Sequence, residues 1–469
     1  MWTNSFKKAL FIAGGLIFMG TAHAQYLRTS YFMEGTSSRL QLNPGLQPTT
    51  GYFNIPVIGS FNIGASSNVL GISDIIAVLD SGSDLFSNDD LYGRLKEDNR
   101  LNVNLNTDIL SFGWYKGKGF WSVNVGLRTD IGASIPKNMF EYLRDADRFN
   151  LESGTLQGNI SNMNLDINAY AEVGLGYSRP VNDKLTVGGR LKVLLGIARA
   201  EMQVDEFTVD MNIPQNPENP DSWNNSYGGY TNAKAHILTS IKGGGLSFTD
   251  THDSYGNAIR QINGFDFDGS GFGISGAGFG VDLGASYKLL DNLTFSAAVL
   301  DLGFINWKGS STTVASIDES SKIEINQNNY QEYLSGDFLN LERFNLVEDK
   351  EAASSYKTRL SSTFLLAGEY AFLNNKVSVG AMYSIHFVQP KTLNELTLSA
   401  TVRPKSWFNA AFSYSPIQAE GKSFGLALKL GPVFVGTDYM YFGNSSKSVN
   451  GFIGISVPMG GSKPLTDEI

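Results

Sequence analysis

The chain has no cysteine. That excludes a disulfide framework, thiolate catalysis and cysteine-based metal sites, although an exported protein would be free to form disulfides. Proline is scarce, 14 in 469 residues, and no low-complexity linker divides the chain into domains. Basic residues are in deficit, 36 against 45 acids, for a formal net charge of −9. A nucleic-acid partner would want the opposite sign, so none is expected. Long apolar runs are missing too. The stretch from Ala9 to Met19 is too short to span a bilayer as a helix.

That stretch follows Lys7 and Lys8, and Ala22-His23-Ala24 follows it. A charged start, a short apolar run and small residues at the cleavage positions spell a secretory signal peptide over 1–24, cut before Gln25. Removing it takes away two lysines and no acid, leaving a net charge of about −11.

Glycine is plentiful, at 51 residues, and aromatics make up 12%. With so little proline, this composition suits long strands and ill suits disorder. In "NLDINAYAEVGLGYS" (164–178), Leu165, Ile167, Ala169, Ala171, Val173, Leu175 and Tyr177 alternate with Asn164, Asp166, Asn168, Tyr170, Glu172, Gly174 and Gly176. A period of two over fifteen residues predicts a strand with one apolar and one polar or small face. It is long for a soluble sheet, where roughly five or six residues is usual, whereas a tilted bilayer-crossing strand needs roughly 9–11. "LNVNLNTDI" (101–109), "WSVNVGLRT" (121–129), "VSVGAMYSIHF" (377–387) and "LTLSATV" (396–402) repeat the pattern.

About fourteen such strands are predicted between residues 58 and 460. Tight turns alternate with longer links, the longest at 70–100, 136–163, 203–275 and 307–358. Short periplasmic turns alternating with long outer loops are the pattern of a transmembrane β-barrel. Closure also satisfies every backbone hydrogen bond in hydrocarbon. The fold class is therefore all-β: a transmembrane antiparallel β-barrel of about fourteen strands, in contact with outer-membrane lipid and expected to be a monomer. Trp114, Tyr115, Trp121, Trp307, Trp407, Phe408, Tyr439 and Tyr441 near strand ends are expected to form interfacial girdles. Residues 25–57 do not alternate and carry Pro44, Pro48 and Pro56; they are expected to be irregular, folded chain. Residues 461–469 are a C-terminal tail.

The runs "SYFMEGTSSRLQLNPGLQP" (30–48) and "VLDLGFINW" (299–307) resemble a Bacteroidota family of outer-membrane proteins of unassigned function. That family is similar in layout to the long-chain fatty-acid transporter (FadL-like) superfamily. The resemblance implies fourteen strands and an N-terminal hatch, here 25–57, plugging the lumen and beginning with an Asn-Pro-Ala motif. Asn43-Pro44-Gly45 stands at the matching place, with Gly for Ala.

Other motifs carry less. Asp80-Ser81-Gly82 has the letters of an aspartic protease, which needs a second such carboxylate. The available mate, Asp301-Leu302-Gly303, lacks the hydroxyl residue. Gly271, Gly273 and Gly276 match Gly-x-Gly-x-x-Gly, but a strand follows them where a nucleotide site needs a helix. "DFDGSG" (266–271, with Asp266 and Asp268) has part of a calcium loop's spacing without the closing Glu. His236, His252 and His386 are scattered. No catalytic residue, cofactor or metal is expected, and the protein reads as a non-enzyme.

Asn164, Asp166, Asn168 and Glu172 are the leading lumen-facing candidates, with Asn102, Asn104, Asn106 and Asp108 beside them. A polar lumen is general in such barrels, so their plainest role is a solvated interior. Two functions fit. One is a hatch-gated channel for uptake of small hydrophobic molecules, as the resemblance implies. The other is a non-transporting scaffold that docks secretion or surface-attachment proteins through its loops. An apolar pocket beside the hatch would favour the first, and a filled lumen the second.

Overall fold

The computed structural model describes residues 28–56, 59–69, 89–141, 154–214, 216, 218–223, 227–252, 256–267, 273–328, 346–387, 392–418, 421–440 and 448–462. The signal-peptide region, Asp80-Ser81-Gly82, Asp268, Gly271 and Tyr441 lie outside them.

Strands account for almost all of it. β1 (Thr50–Asn54), β2 (Phe61–Ser67), β3 (Asp98–Lys116), β4 (Gly119–Pro136), β5 (Thr155–Pro180) and β6 (Leu185–Asn212) begin a continuous antiparallel wall. β7 (Tyr227–Ile241), β8 (Gly244–His252) and β9 (Ala258–Phe267) leave it, and β10 (Gly276–Leu290) and β11 (Leu293–Trp307) resume it. β12 (Thr312–Ile325) and β13 (Val347–Glu348) form a second excursion. β14 (Tyr356–Arg359), β15 (Thr363–Phe372), β16 (Val377–His386), β17 (Leu393–Lys405), β18 (Phe408–Gln418), β19 (Gly421–Leu430), β20 (Val433–Met440) and β21 (Ser448–Ser462) complete the circuit. β21 pairs with both β1 and β2, so no edge remains open.

Sixteen strands close this barrel, not the expected fourteen. The difference lies at two positions in the wall, each divided between two strands set end to end. β1 and β2 share the position between β21 and β3. Pro56, which has no N–H to give to a ladder, sits at their junction. β14 and β15 share the position beside β11, opposite a bulge described below. Residues 50–54, expected to be irregular, are thus part of the wall.

The alternation works as the sequence predicts. Val173, Leu175, Leu191, Val193, Leu283 and Leu366 are exposed on the outer face, whereas Glu172, Lys192 and Asp282 are buried on the inner one. An apolar exterior on a closed barrel is the arrangement that crosses a bilayer with no unpaired backbone. Tight turns join β3 to β4, β5 to β6, β10 to β11, β15 to β16, β17 to β18 and β19 to β20 on one side. Gly117 and Gly431 make two of them with φ +60° and +59°, a region glycine enters without penalty. Trp114 and Trp407 are exposed as girdle residues should be. Trp307 and Tyr439 are not: both are buried. Gly196 and Gly276 leave room for the Trp307 ring, whose Nε1–H donates to Thr358 Oγ1 at 2.8 Å.

β5 and β6, at 26 and 28 residues, are far longer than a bilayer crossing needs. β6 pairs with β10 as far as Gly196 and with β7 from Ala198 onward. Beyond that height β7 and β12 extend the sheet, and the β8–β9 hairpin covers it. Ile237, Ile262, Ala315 and Leu346 form a separate small core there. Within the stretches 203–275 and 307–358, expected to be loops, the described residues therefore largely form an ordered outer sheet.

The main core lies inside the barrel, under the N-terminal segment. Tyr31, Phe32, Met33, Leu42 and Leu46 pack against Ala298, Leu300, Leu365, Ala367, Met382, Ala411, Ala427, Phe434 and Phe452 of the inner wall. Fully burying each such aliphatic or aromatic side chain contributes about 1.5–3 kcal/mol before ordering costs.

Candidate functional site: the lumen, its N-terminal segment and a break in the wall

The segment consists of two short helices, α1 (Arg28–Tyr31) and α2 (Ser37–Leu42), and the stretch that follows. Short helices without capping side chains have little stability of their own, so the wall must hold them. Asp438 does so for α1: its carboxylate accepts the N–H of Arg28 at 3.2 Å and of Thr29 at 2.7 Å, and the Thr29 hydroxyl. The Arg28 guanidinium, fully buried, pairs with Glu395 at 3.4 Å and lies over the Tyr439 ring. For α2, Arg39 pairs with Glu369 at 2.9 Å, which Arg403 also meets at 3.0 Å. Buried charges of this kind are tolerated only with partners, so each tie is costly to break singly.

Asn43, Pro44 and Gly45 are docked on β6 and β10. The Asn43 amide lies within 3.2 Å of both Tyr31 Oη and the Ala297 carbonyl, and its Oδ1 accepts the Gly45 N–H at 2.8 Å. Ser286 donates to the Gly45 carbonyl at 3.0 Å. A β-carbon on Gly45 would lie 2.7 Å from the Ala285 backbone, so this chain has no room for the alanine of the related motif. Gly188 and Gly284 provide the matching flat wall, since a β-carbon on either would overlap Pro44 or Asn43.

On the other side of the segment lies a cavity of about 770 Å³. Ser38, Gln41 and Leu42 form part of its lining, and the rest comes from the inner wall. An ionic network crosses it, beside apolar lining from Leu42, Ile131, Val299, Leu302, Leu360 and Leu393. Lys192 stands 2.8 Å from Asp282, 2.6 Å from Asp301 and 3.6 Å from Glu172. Arg190 meets Asp282 at 2.6 Å, and Arg128 meets Asp108 at 2.9 Å and Glu172 at 3.5 Å. Arg199 pairs with Asp166 at 2.6 Å. The network reaches the segment through Gln41, whose amide donates to Asp108 and whose carbonyl lies 3.5 Å from Arg190 Nη2.

Of the four lumen candidates, Asp166, Asn168 and Glu172 line this chamber, together with Asn102, Asn106 and Asp108. Asn164 does not; its amide bonds the nearby Asn162 carbonyl. The alternation that singled out Glu172 also puts Arg190 and Lys192 on the inner face of β6, a signal present in "GGRLKVLLG" (188–196) and not used. The three histidines are far apart in role. His386 lies in the inner wall among Thr363, Ser384 and Glu395, His236 beside Glu201 in the outer sheet, and His252 at the end of β8.

The chamber also reaches the wall. In β11, Leu300 and Asp301 together face the single residue Asp282, a bulge in which Asp301 takes φ +59°. Asp282 accepts the Asp301 N–H at 2.8 Å, which fixes this conformation. Beyond the bulge β11 no longer finds β15. It pairs with β15 up to Leu300 and with β14 from Phe304, leaving 301–303 opposite 360–362 without a regular ladder. The Leu360 N–H to Gly303 carbonyl bond, 3.1 Å, and the Ser362 hydroxyl to Asp301 carbonyl bond, 2.9 Å, bridge the gap. The chamber lining continues here to Leu302, Arg359 and Phe387, all exposed.

Solved structures that the chain resembles include the toluene transporter TbuX of Ralstonia pickettii, with 10% identity, TM-score 0.40 and coverage of 92% of this chain and 94% of that one. The toluene transporter TodX of Pseudomonas putida has 10% identity, TM-score 0.36 and coverage of 93% of this chain and 94% of that one. A FadL homologue of Pseudomonas aeruginosa has 8% identity, TM-score 0.38 and coverage of 91% and 92%. No curated protein matches the sequence significantly. A family model does, over residues 44–438, from the docked segment to the strand that holds it: the chain belongs to the Family of unknown function (DUF5723).

Proposed function

We propose that this protein is an outer-membrane channel gated by its N-terminal segment, which acts as a hatch. The carrying observation is the chamber of about 770 Å³ floored by a segment tied to the wall through a few separable polar contacts. Residues 28–49 then form the described part of the hatch, and the wall begins at β1.

For cargo, the reading is small hydrophobic molecules, and the break in the wall supports it. An apolar guest crossing the chamber would strip water from its ion pairs, a costly step. A guest moving between β11 and β14–β15 would meet Leu302, Phe387 and Leu393 instead. The ionic chamber keeps its water, and the break takes the cargo. A test uses the absence of native cysteine: Ser361→Cys, labelled with a bulky maleimide, should abolish uptake of a fluorescent hydrophobic probe into proteoliposomes. Unaltered uptake by the labelled protein would overturn the route.

The ordered outer sheet favours a second reading, a scaffold that docks other proteins, because its separate core exceeds what a simple loop requires. Native mass spectrometry on gently extracted protein separates the two. A retained apolar molecule supports the channel, and a bound protein partner on an otherwise empty barrel supports the scaffold.

A further inference from the structure

Most cations around the lumen are spent on neighbouring carboxylates, but two at the mouth of the wall break are not. β14 alternates, with Thr358 turned inward to Trp307 and Lys357 and Arg359 exposed on the opposite face. Lys357 Nζ lies 5.0 Å from the centroid of Phe304, itself an exposed outer-face residue. Among the described residues, neither Lys357 nor Arg359 has a carboxylate partner, whereas Lys192, Arg190, Arg128 and Arg199 are all paired.

Their height on the barrel matters. From the turn before Leu293 to Phe304, eleven residues at about 3.3 Å each and tilted by about 40° climb about 28 Å. The apolar band of such barrels is about 25 Å tall, so Lys357 and Arg359 stand at its outer boundary. Below them the face is apolar, with Leu302 and Phe304 on β11 and Phe387 after β16 exposed. Two cations above an apolar strip match a lipid in both its parts.

We propose that Lys357 and Arg359 bind the phosphate of an outer-leaflet lipid whose acyl chain lies over Leu302 and Phe387 at the mouth of the wall break. A guanidinium offers paired donors to phosphate oxygens, and the ammonium adds a point charge beside it. Phosphate, with more acceptor oxygens than a carboxylate, uses both cations. A lipid seated there covers the break between β11 and β14–β15 and must yield before a guest passes. The site rests on the barrel's orientation in the bilayer and not on hatch movement, which conductance reads separately.

The test titrates the detergent-solubilised full barrel with dimyristoylphosphatidylglycerol and reads bound lipid by native mass spectrometry. The double variant Lys357→Gln/Arg359→Gln should bind about thirtyfold more weakly, from the usual contribution of two basic groups at a membrane surface. Arg179→Gln, which removes an exposed cation at the far end of β5, should bind like the wild type. Dimyristoylglycerol, with the same chains and no phosphate, should bind wild type and double variant alike and weakly. Equal phosphatidylglycerol binding by the double variant overturns the proposal. So does complete displacement of the lipid by millimolar inorganic phosphate, which would mark a free-anion site and not a lipid site. The heat-modifiable mobility of a folded barrel checks that both variants are intact.

Discussion

Pro44 rests directly on Gly188: the wall strand leaves no space between its backbone and the Pro44 carbonyl for even a β-carbon. Gly284 meets Asn43 and Pro44 in the same way, and Gly45 approaches Ala285 as closely. The segment is therefore fitted to the wall by the absence of side chains as much as by hydrogen bonds.

Gly284→Val should lift the segment from the wall while leaving the barrel closed, because the added methyls point into the lumen. The expected outcome in planar bilayers is a larger or more frequently open conductance than wild type. Unchanged conductance by a correctly folded variant would sink the hatch reading. Gly45→Ala should act in the same direction more weakly, since overpacking of this kind costs about 1–3 kcal/mol.

Asp438→Asn should loosen α1. It weakens three hydrogen bonds to a charged acceptor, while the Arg28 guanidinium keeps Glu395, Ser423 and the Tyr439 ring. A loss of about 3 kcal/mol in docking would lower amide protection over residues 28–33 by on the order of a hundredfold. Hydrogen exchange with mass detection reads this directly. Protection that stays at the wild-type level would mean that Asp438 is not the anchor.

The outer sheet should respond to pH through His236 and Glu201, which stand 3.9 Å apart on β7 and β6 above the barrel. The Glu201 carboxylate beside it raises the His236 pKa, against its partial burial, and the same pairing holds Glu201 down at about 2. The histidine's contribution is present below its unfolded pKa, about 6.5, and is lost as pH rises through its raised folded value. The glutamate's contribution is present above its unfolded pKa, about 4.3, and is lost as pH falls toward 2. Amide protection of β7 should therefore be greatest between about pH 4.5 and 6.5 and decline above it. His236→Gln should flatten the profile. An NMR titration placing the His236 pKa at or below 6.5 would contradict the pairing.

Asp301→Ala should test what holds the wall break. The left-handed backbone at this position suits Gly, Asn or Asp better than Ala, and Lys192 would lose one of its three carboxylates. We expect a loss of about 2 kcal/mol in unfolding free energy, measured in urea, and Asp301→Asn should recover most of the backbone part. Equal stability of all three proteins would show that the bulge imposes no strain.

Alternation in the sequence determined the strands, their inner and outer faces and the closed barrel, because a period of two is a local property of the backbone that any fifteen residues display. That is why Glu172 and Asp166 could be assigned to the lumen from one strand alone. It also marked 25–57 as something other than wall, which holds for the described part up to residue 49 but not for β1 at 50–54. What only the tertiary structure decided was which charges meet. Lys192 joins Asp282 and Asp301 across about a hundred residues of chain, and Arg28 reaches Glu395 across 367. Such pairs depend on the stagger between strands, which no single strand records. The divided wall positions were hidden for the same reason. The bulge at Asp301 looks like ordinary strand in "VLDLGF" (299–304), and becomes a break only when β11 is set beside the two strands it must pair with.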